Sequence, residues 1–490
     1  MASRAADPAL RGGKERVPSA NNDAMVAFCV MWALATVLSV VSHYDNMMLR
    51  TGLKYAVLNY ASLGICIALF VRHRNLLMLF ALSAMMALQY IMRLPVASNN
   101  QTIAFFMNTA IVLVVGTTWL RGRTLQGKTV EIYENLRIVA RLLLATMYFY
   151  GIFHKINTGF LDPEASCATA LYRPLVHVFG LQDNLLGQYG AIVATFIVET
   201  ITLVCLFWRR FFAFGLIIGL VFHYIIPISA YSWYMDFSCL VFALYTLSIP
   251  VEASLAYYTR VRQILSRIPL LPASSVAMAA ILFLVGLGIF VASYVQSLDP
   301  AGFVTTGKMM WHSAWIIVWS VLGGFAMVWL TGATLSILPY HVTPIPKHPK
   351  WIYAIPLVLF VSCLSPYLGL KTESSIAMFS NLHTEGGETN HLLFPEPPYI
   401  APYQADVLMI TASSIPKIQA LADQGKGMVP LELERALLGK KNDWISYTAN
   451  GQQYEHVTAA DWGGARYSKL EKQLLLFKPV EFSDPQLCSH

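Results

Sequence analysis

The sequence has little charge for its length. Only 12% of its 490 residues are Asp, Glu, Lys or Arg, against about 25% in an ordinary soluble protein. Apolar residues make up 56% of the chain, and its mean hydropathy is +0.54. This composition excludes a disordered chain, a collagen and a disulfide-stapled miniprotein, and it argues against a soluble enzyme. It is typical of a protein whose solvent is membrane hydrocarbon.

Several short motifs are also absent. The sequence contains no Walker motif, no G-x-S-x-G, no H-E-x-x-H and no dinucleotide-binding fingerprint. Its seven cysteines show no C-x-x-C spacing, and five of them lie inside apolar runs, where cysteine is usually a packing residue. Only Cys167 and Cys488 lie outside those runs, and the sequence leaves open whether they pair.

What the sequence does contain is a series of apolar runs. Runs of roughly 17–21 residues match the length of helix that crosses a bilayer. We therefore predict an all-α polytopic membrane bundle of about eleven transmembrane helices, followed by a small α+β extracytoplasmic domain. The predicted spans are 24–42, 55–71, 76–94, 102–120, 138–153, 188–208, 211–228, 237–249, 274–294, 314–330 and 351–368.

The loops between these spans alternate in their content of Lys and Arg. Basic side chains concentrate in loops such as 72–74, 121–128, 209–210 and 260–267, and the alternate loops carry few of them. Because basic loops stay on the cytoplasmic side, we predict a cytoplasmic N-terminus. An odd number of spans then places residues 371–490 outside the cytoplasm. The basic excess indicates orientation in a bilayer, by prediction a bacterial inner membrane, and not nucleic-acid binding.

The chain divides into four predicted regions. Residues 1–23 are predicted to be a disordered cytoplasmic N-terminus, and residues 24–250 a first transmembrane domain. Residues 251–370 supply additional transmembrane helices, and residues 371–490 form the extracytoplasmic domain.

The last region shows the patterns of a small α+β domain. Alternation over 405–411 and the run 474–482 predict strands, and 444–457 predicts a hairpin around Asn450-Gly451. A short helix is predicted after Pro430, with acidic residues in its first turn.

The most unusual segment, 148–167, joins the fifth span to the following loop. It contains Tyr150, His154 and Lys155. An aromatic helix end with a lysine is typical of a membrane interface, where the lysine extends to water. Alternatively, a lysine at that depth loses hydration, and its neutral form can act as a base. Gly151, one turn earlier, leaves room for a ligand or a neighbouring helix.

Two ionisable residues lie well inside spans. Glu199 is in the sixth predicted span and His223 is in the seventh. Counted from the intervening turn at 1.5 Å per residue, their depths differ by only about 4–5 Å. In a helical hairpin the carboxylate and the imidazole can therefore meet near the middle of the membrane. Such groups are either a functional pair or a structural polar clamp between helices.

Two polar segments lie on the predicted outer side. Asn99, Asn100 and Gln101 begin the fourth span, and they are either a polar helix start or a substrate-binding group. The segment 378–391 follows the last span and contains Asn381, Glu385, Asn390 and His391. Its spacing matches no standard zinc pattern, and we predict no metal there. The candidates thus indicate one outward-facing polar site over a helical bundle.

The segment 151–168, with His154 and Lys155, resembles the signature of the HTTM family, the bacterial relatives of the vitamin K-dependent gamma-carboxylase membrane domain. The segments 222–237 and 378–391 are similar to later family segments, and the resemblance covers roughly residues 25–395. It makes 24–250 an HTTM-like domain. In the carboxylase, a lysine of the matching block deprotonates vitamin K hydroquinone. The resemblance therefore implies that Lys155 is a general base and that a vitamin K-like quinol is its cofactor.

The resemblance also assigns roles to the other candidates. His154, Glu199 and His223 would join Lys155 as catalytic residues. The predicted substrate-binding residues are Asn99, Asn100, Gln101, Tyr150, Asn381, Glu385, Asn390 and His391. Gln101 stands where the carboxylase carries a histidine, and the tail is too short for a propeptide-binding region. Both departures weaken peptide carboxylation more than quinol binding.

Three functions remain open at this point. The first is an enzyme that binds a quinol or another lipophilic substrate at its outer face and is carboxylase-like in its proton abstraction. The second is a non-catalytic accessory protein that binds a lipid or a membrane-protein partner, or assists maturation of an exported peptide. The third is a transporter with Glu199 and His223 as a proton relay, although broken-helix and inverted-repeat signals are lacking. The bilayer is a predicted partner in each case.

Overall fold

The computed structural model describes residues 23–42, 53–178, 180–229, 234–267, 308–335, 348–387, 389–440, 442–463, 466–482, 485 and 488. The predicted disorder of 1–22 and the predicted span 274–294 lie outside these residues.

Helices dominate the part of the chain before residue 371. In chain order they are α1 Val26–Ser42, α2 Leu53–Val71, α3 Leu76–Arg93, α4 Asn99–Gly122, α5 Thr129–Phe153, α6 Thr158–Leu161, α7 Cys167–Val178, α8 Leu185–Cys205, α9 Phe212–Ser229, α10 Met235–Ser248, α11 Val251–Leu265, α12 Lys308–Leu335 and α13 Ala354–Ser362. Short 3₁₀ turns precede α9 at Arg209–Phe211 and flank α13 at Lys350–Tyr353 and Ser365–Leu368.

Some of these helices are long and apolar enough to cross a membrane. Among the described residues there are five: Leu76–Arg93, Asn99–Gly122, Thr129–Phe153, Leu185–Cys205 and Arg209–Ile228. The pair Met235–Ser248 and Val251–Arg260, bent by 116° at Pro250, makes a sixth if it is one span. The fold is therefore compatible with an integral membrane protein, and the count of eleven spans stays a prediction.

One predicted span is shortened in the structure, and another begins and ends slightly earlier than predicted. The run 351–368 is divided into two 3₁₀ turns and the nine-residue helix α13. Pro366 lies at the start of the second 3₁₀ turn, where its missing N–H prevents a continuous helix. The run 237–249 gives the 14-residue helix α10, which ends just before Pro250.

Polar side chains fix where several helices begin. The side chain of Asn75 accepts from two backbone N–H groups at the start of α3. The side chain of Asn184 accepts from the Gly187 N–H at the start of α8. Gln101 accepts from the backbone of Ser98 at the start of α4. These contacts satisfy N–H groups that have no partner within the helix.

Helix α10 lies at the centre of the bundle. All 14 of its residues are buried, as expected for a helix that is apolar all round. It packs against α1, α5, α9 and α12. By contrast, α8 leaves Val193 and Ile197 more than half exposed, which suits a surface that faces lipid.

The C-terminal region contains a five-stranded antiparallel sheet in the order β4-β3-β1-β2-β5. The strands are β1 Leu408–Ser413, β2 Lys426–Met428, β3 Trp444–Ala449, β4 Gln452–Thr458 and β5 Val480–Glu481, and the helices are α14 Pro416–Asp423, α15 Pro430–Leu437 and α16 Lys469–Leu474. The predicted hairpin and the helix after Pro430 are confirmed.

The predicted strand 474–482 is wrong over most of its length. Helix α16 ends at Leu474, and only Val480–Glu481 pairs as a strand. Ser468 and Glu471 form a reciprocal capping box that favours the helix upstream.

Candidate functional site

A cavity of about 390 Å³ lies between α5, α7, α8 and α9. Its walls are mostly apolar, but they include Tyr148, Lys155, Glu199 and His223. The structure therefore brings three of the four predicted catalytic residues to one cavity. A small number of polar groups in an apolar cavity is typical of small-molecule sites.

Lys155 and Glu199 form a buried charge pair at this cavity. The Lys155 Nζ to Glu199 Oε1 distance is 2.6 Å, and the two residues are 5% and 6% exposed. The second oxygen, Glu199 Oε2, is buried and has no hydrogen-bond partner among the described residues. Carboxylates buried away from water are normally fully paired, so this oxygen is available to a ligand.

Gly151, one turn before Lys155, explains how the Glu199 carboxylate approaches α5 so closely. A Cβ placed on Gly151 would lie 3.3 Å from Glu199 Oε2. The expectation that Gly151 leaves room for a neighbour is confirmed, and the neighbour is the carboxylate of α8.

Asn157 fixes the turn that carries Lys155. Helix α5 ends at Phe153, and the buried side chain of Asn157 donates to the carbonyl oxygens of His154 and Ser380, both at 2.6 Å. Its oxygen accepts from the Phe160 N–H at 2.8 Å. The chain therefore reverses directly after Lys155 in one defined geometry.

His223 has a different partner from the one that its depth suggested. Its Nε2 lies 2.9 Å from the hydroxyl of Tyr148, which lies 2.8 Å from the hydroxyl of Tyr245. The carboxylate of Glu199 pairs with Lys155 instead, because an ammonium group is a stronger partner for it than a neutral imidazole. No hydrogen bond joins Glu199 to His223 in the described structure, although both line the cavity.

His154 and Tyr150 lie on the other side of α5 and do not line the cavity. The ring nitrogens of His154 lie 2.8 Å from the Tyr367 hydroxyl and 3.1 Å from the Ser375 carbonyl oxygen. The Tyr150 hydroxyl donates to the carbonyl of Phe360 at 2.8 Å. These contacts hold α5 against α13 and the segment that follows it.

The polar start of α4 is also occupied by internal contacts. Asn99 accepts from the Ile376 N–H at 2.7 Å, and Asn100 donates to Asp236 at 2.6 Å. Neither residue, nor Gln101, lines the cavity. Ile376 does line it, with a φ of 60° that is rare for a β-branched residue. Asn99 therefore does not line the cavity, but its hydrogen bond holds Ile376 of the cavity wall in a strained backbone conformation.

Asn381 and Asn390 hold the loop after the bundle. Asn381 donates to the Ala165 carbonyl and accepts from the Cys167 N–H, both at 2.9 Å. Asn390 accepts from the His383 N–H at 2.9 Å and donates to the Asn381 carbonyl at 2.7 Å. We call Asn99, Asn157, Asn381 and Asn390 the asparagine layer. Its members support the cavity walls and do not line them.

Glu385 and His391 complete the predicted set. His391 Nε2 lies 2.8 Å from the Phe153 carbonyl oxygen, where the ring covers the end of α5. Burial would raise the pKa of Glu385, but His383, 3.2 Å away, and the Thr384 N–H outweigh it and lower that pKa below its ordinary value. Among the described residues, no group of three or more His, Cys, Asp or Glu could hold a metal ion.

The two cysteines outside the apolar runs are joined in a disulfide. Cys167 and Cys488 are 321 residues apart in sequence, and Cys167 lies in the cavity wall. The other five cysteines are free and buried.

No protein-family model, curated protein or solved structure matches this chain.

Sequence reasoning missed Tyr148 and Tyr245 as polar contributors. Both lie in apolar runs, where an aromatic residue looks like packing. Their hydroxyl groups meet only because α5 and α10 are neighbours in the bundle, and sequence spacing carries no signal for that contact.

Proposed function

We propose that the cavity binds a lipophilic molecule with one ionisable polar end and that the Lys155–Glu199 pair takes a proton from it. The observation that carries the proposal is Glu199 Oε2, an oxygen buried without a partner in an apolar cavity. A ligand O–H or N–H supplies the missing hydrogen bond, and the walls bind the apolar remainder.

The pair can take up one proton in either of its forms. As ammonium and carboxylate, Glu199 accepts the proton and the Lys155 ammonium stabilises the ligand anion. As amine and carboxylic acid, Lys155 accepts it. The two forms differ by one proton moved along the 2.6 Å contact, so the base is the coupled pair. Lys155 keeps its proposed role as general base within this pair.

The resemblance to the HTTM family favours a quinol as the lipophilic substrate. A quinol has an apolar ring and a weakly acidic hydroxyl, which match the apolar walls and the free oxygen of Glu199. Within the proposal, Lys155, Glu199 and His223 contact the ligand. His154, Tyr150 and the asparagine layer position the walls.

The test uses 1-naphthol, whose anion has its own absorption band. We expect wild-type protein to bind 1-naphthol partly as the anion near neutral pH. Glu199→Gln should bind it without the anion band, because the carboxylate of the pair is gone. In Lys155→Arg the band survives only if Glu199 accepts the proton, because Arg cannot act as a base. Glu134→Gln is the matched control, since Glu134 pairs with Arg137 at 2.9 Å outside the cavity. An unchanged anion band in Lys155→Arg and Glu199→Gln contradicts the proposal.

Lipophilic molecules that co-purify provide a second readout. Mass spectrometry should find a quinone in wild-type extracts and less of it in Lys155→Ala extracts. The absence of a quinone from both would remove the quinol part of the proposal.

The second candidate function is binding without chemistry, as an accessory protein for a lipid, a membrane protein or an exported peptide. The observation that favours it is that Asn381, Asn390 and His391 are occupied by contacts within the chain. The cavity then has no polar group from this loop to complete a reaction centre. Bound 1-naphthol that stays neutral, together with a stable co-purifying protein, would favour this function.

We also propose that the N-terminus is cytoplasmic and that the C-terminal region lies outside the cytoplasm, by prediction across a bacterial inner membrane. The Cys167–Cys488 disulfide supports this orientation, since such bonds persist in oxidising compartments. After reduction, a membrane-impermeant maleimide should label the protein in intact spheroplasts. The Cys167→Ser/Cys488→Ser double variant should stay unlabelled. Labelling that requires opening the membrane would reverse the orientation.

A further inference from the structure

His223 is one end of a buried chain of three hydrogen-bonding groups. Its Nε2 is 2.9 Å from the Tyr148 hydroxyl, and that hydroxyl is 2.8 Å from the Tyr245 hydroxyl. The three residues come from α9, α5 and α10, and each is at most 2% exposed. The directions of these two hydrogen bonds decide which ring nitrogen of His223 carries the proton.

Counting donors and acceptors fixes the directions. Within the described structure, the only hydrogen-bond partner of the Tyr245 hydroxyl is that of Tyr148. A buried O–H needs an acceptor, so Tyr245 donates to Tyr148, and Tyr148 donates to His223 Nε2. The reverse order leaves the hydrogen of Tyr245 without an acceptor, whereas His223 Nδ1 lacks a partner among the described residues in either order.

A neutral imidazole with an accepting Nε2 carries its hydrogen on Nδ1. His223 Nδ1 is buried and has no hydrogen-bond partner among the described residues. A charged ring, with both nitrogens protonated, is disfavoured because the site is apolar and the Lys155 ammonium lines the same cavity. His223 therefore adds one unpaired N–H donor to a wall that already carries one unpaired acceptor.

Local packing reserves space for this chain. A Cβ on Gly219 would overlap the hydroxyl of Tyr245. Gly219 precedes His223 by four residues on α9 and so lies on the same helix face. The glycine lets α10 bring its tyrosine hydroxyl close to the helix that carries the histidine.

We propose that Tyr245 and Tyr148 are positioning residues that hold His223 in its Nδ1–H tautomer, so that the cavity selects a ligand bearing a hydroxyl group. The proposal rests on the proposed function, because it takes the ligand to lie in this cavity. One hydroxyl meets both needs: its hydrogen goes to Glu199 Oε2, and its oxygen accepts from His223. An ether oxygen meets only the second. After proton transfer, the oxygen anion keeps the hydrogen bond from His223.

The first test reads the tautomer directly and needs no ligand. Full-length protein in lipid, labelled with ¹³C and ¹⁵N in its 12 histidines, gives ring ¹⁵N–¹³C correlations by solid-state NMR. The His223 signal is identified by its loss in His223→Gln. We expect a protonated Nδ1 in wild type and a mixture of tautomers in Tyr245→Phe. Tyr133→Phe is the matched control, since the Tyr133 hydroxyl also joins α5 to α10, through the backbone carbonyl of Thr246, and does not bond His223 or Tyr148.

Two results overturn the tautomer assignment. One is a wild-type His223 protonated at Nε2 or at both nitrogens. The other is a Tyr245→Phe spectrum identical to wild type, which removes the role of Tyr245. Because the measurement uses no ligand, it can succeed when the 1-naphthol anion test fails, and the reverse also holds.

The second test concerns the ligand class. We expect 1-naphthol to bind wild-type protein about tenfold more tightly than 1-methoxynaphthalene, which lacks the donor for Glu199. The difference should disappear in Glu199→Leu/Lys155→Met, where that acceptor is absent. Equal affinities for wild-type protein overturn the selection of a hydroxyl group.

Discussion

The cavity and the asparagine layer both bury polar side chains, but they treat them differently. In the asparagine layer, the side-chain amides of Asn99, Asn157 and Asn381 bond backbone groups of distant segments, and that of Asn390 bonds backbone groups within its own loop. At the cavity, Glu199 Oε2 and His223 Nδ1 are buried without partners. Burial alone thus does not mark a functional group, and neither does an unmet hydrogen bond alone, since Glu385 Oε1 and the Gln404 amide also lack partners among the described residues. Glu199 and His223 combine both features with a place in the cavity lining. The comparison predicts that the charged groups at the cavity can be removed together with little loss of stability but with loss of proton transfer. It predicts that the asparagines are needed for stability.

The largest effect should come from breaking the charge pair on one side. Glu199→Leu leaves the Lys155 ammonium buried without its partner, which costs about 3–5 kcal/mol of unfolding free energy. Lys155→Met/Glu199→Leu should recover most of that loss and still fail to deprotonate 1-naphthol. Titration with SDS in mixed micelles measures the first quantity, and the anion band measures the second. A double variant as unstable as Glu199→Leu would make the pair a structural element.

In the asparagine layer, a substitution should lower stability and leave the cavity groups unchanged. Asn157→Ala removes the partners of the His154 and Ser380 carbonyls and of the Phe160 N–H. We expect a loss of roughly 3 kcal/mol from these unsatisfied groups, with the His223 tautomer unchanged. Asn184→Ala, which removes only an exposed helix cap, should cost about 1 kcal/mol. Equal losses in the two variants would show that the layer adds nothing beyond capping.

Gly151→Ala should weaken ligand binding without lowering stability, and its effects should be smaller than those of the variants above. Alanine favours the helix over glycine by up to about 1 kcal/mol, but the new methyl group lies against Glu199 Oε2. We expect equal or higher thermal stability and weaker 1-naphthol binding. A variant that gains stability and keeps full affinity would show that the ligand does not reach this oxygen.

The smallest effect concerns pH and Glu385. Because its pKa is lowered in the folded protein, its carboxylate stabilises the fold fully above the ordinary carboxyl pKa. That contribution is lost as the pH falls through the lower, folded value. Hydrogen exchange of residues 381–391 should therefore accelerate in acid, and Glu385→Gln should flatten this dependence. Parallel curves for the two proteins would assign the acid sensitivity to another group.

The fold was predictable where signals are local. The Asn450-Gly451 turn specified the hairpin of β3 and β4, and apolar length specified α3, α4, α5, α8 and α9. Prediction failed at 475–479, where the backbone bonds Thr372, Glu373 and Glu432 and not a neighbouring strand. It also failed where a proline divided an apolar run, as at Pro366.

The site was predictable only in part. Glu199 and His223 were identifiable because ionisable groups are costly in apolar runs, and Lys155 because it follows the aromatic end of the fifth predicted span. Their partners were not, since the sequence does not tell whether Glu199 meets Lys155 or His223. The loop asparagines looked like ligand contacts because polar residues near a membrane carry no mark of their partner. Asn99 bonds a backbone group 277 residues away, and only the tertiary fold reveals it.

The disulfide has a consequence for the order of assembly. One half of it, Cys167, lies in the cavity wall, and the other, Cys488, is made 321 residues later. The wall is therefore covalently complete only after the C-terminal sheet has been synthesised and has met an oxidant. Until then, only non-covalent contacts hold this part of the cavity wall. The disulfide thus forms only after the segments that carry Cys167 and Cys488 have both been synthesised and have reached an oxidising compartment.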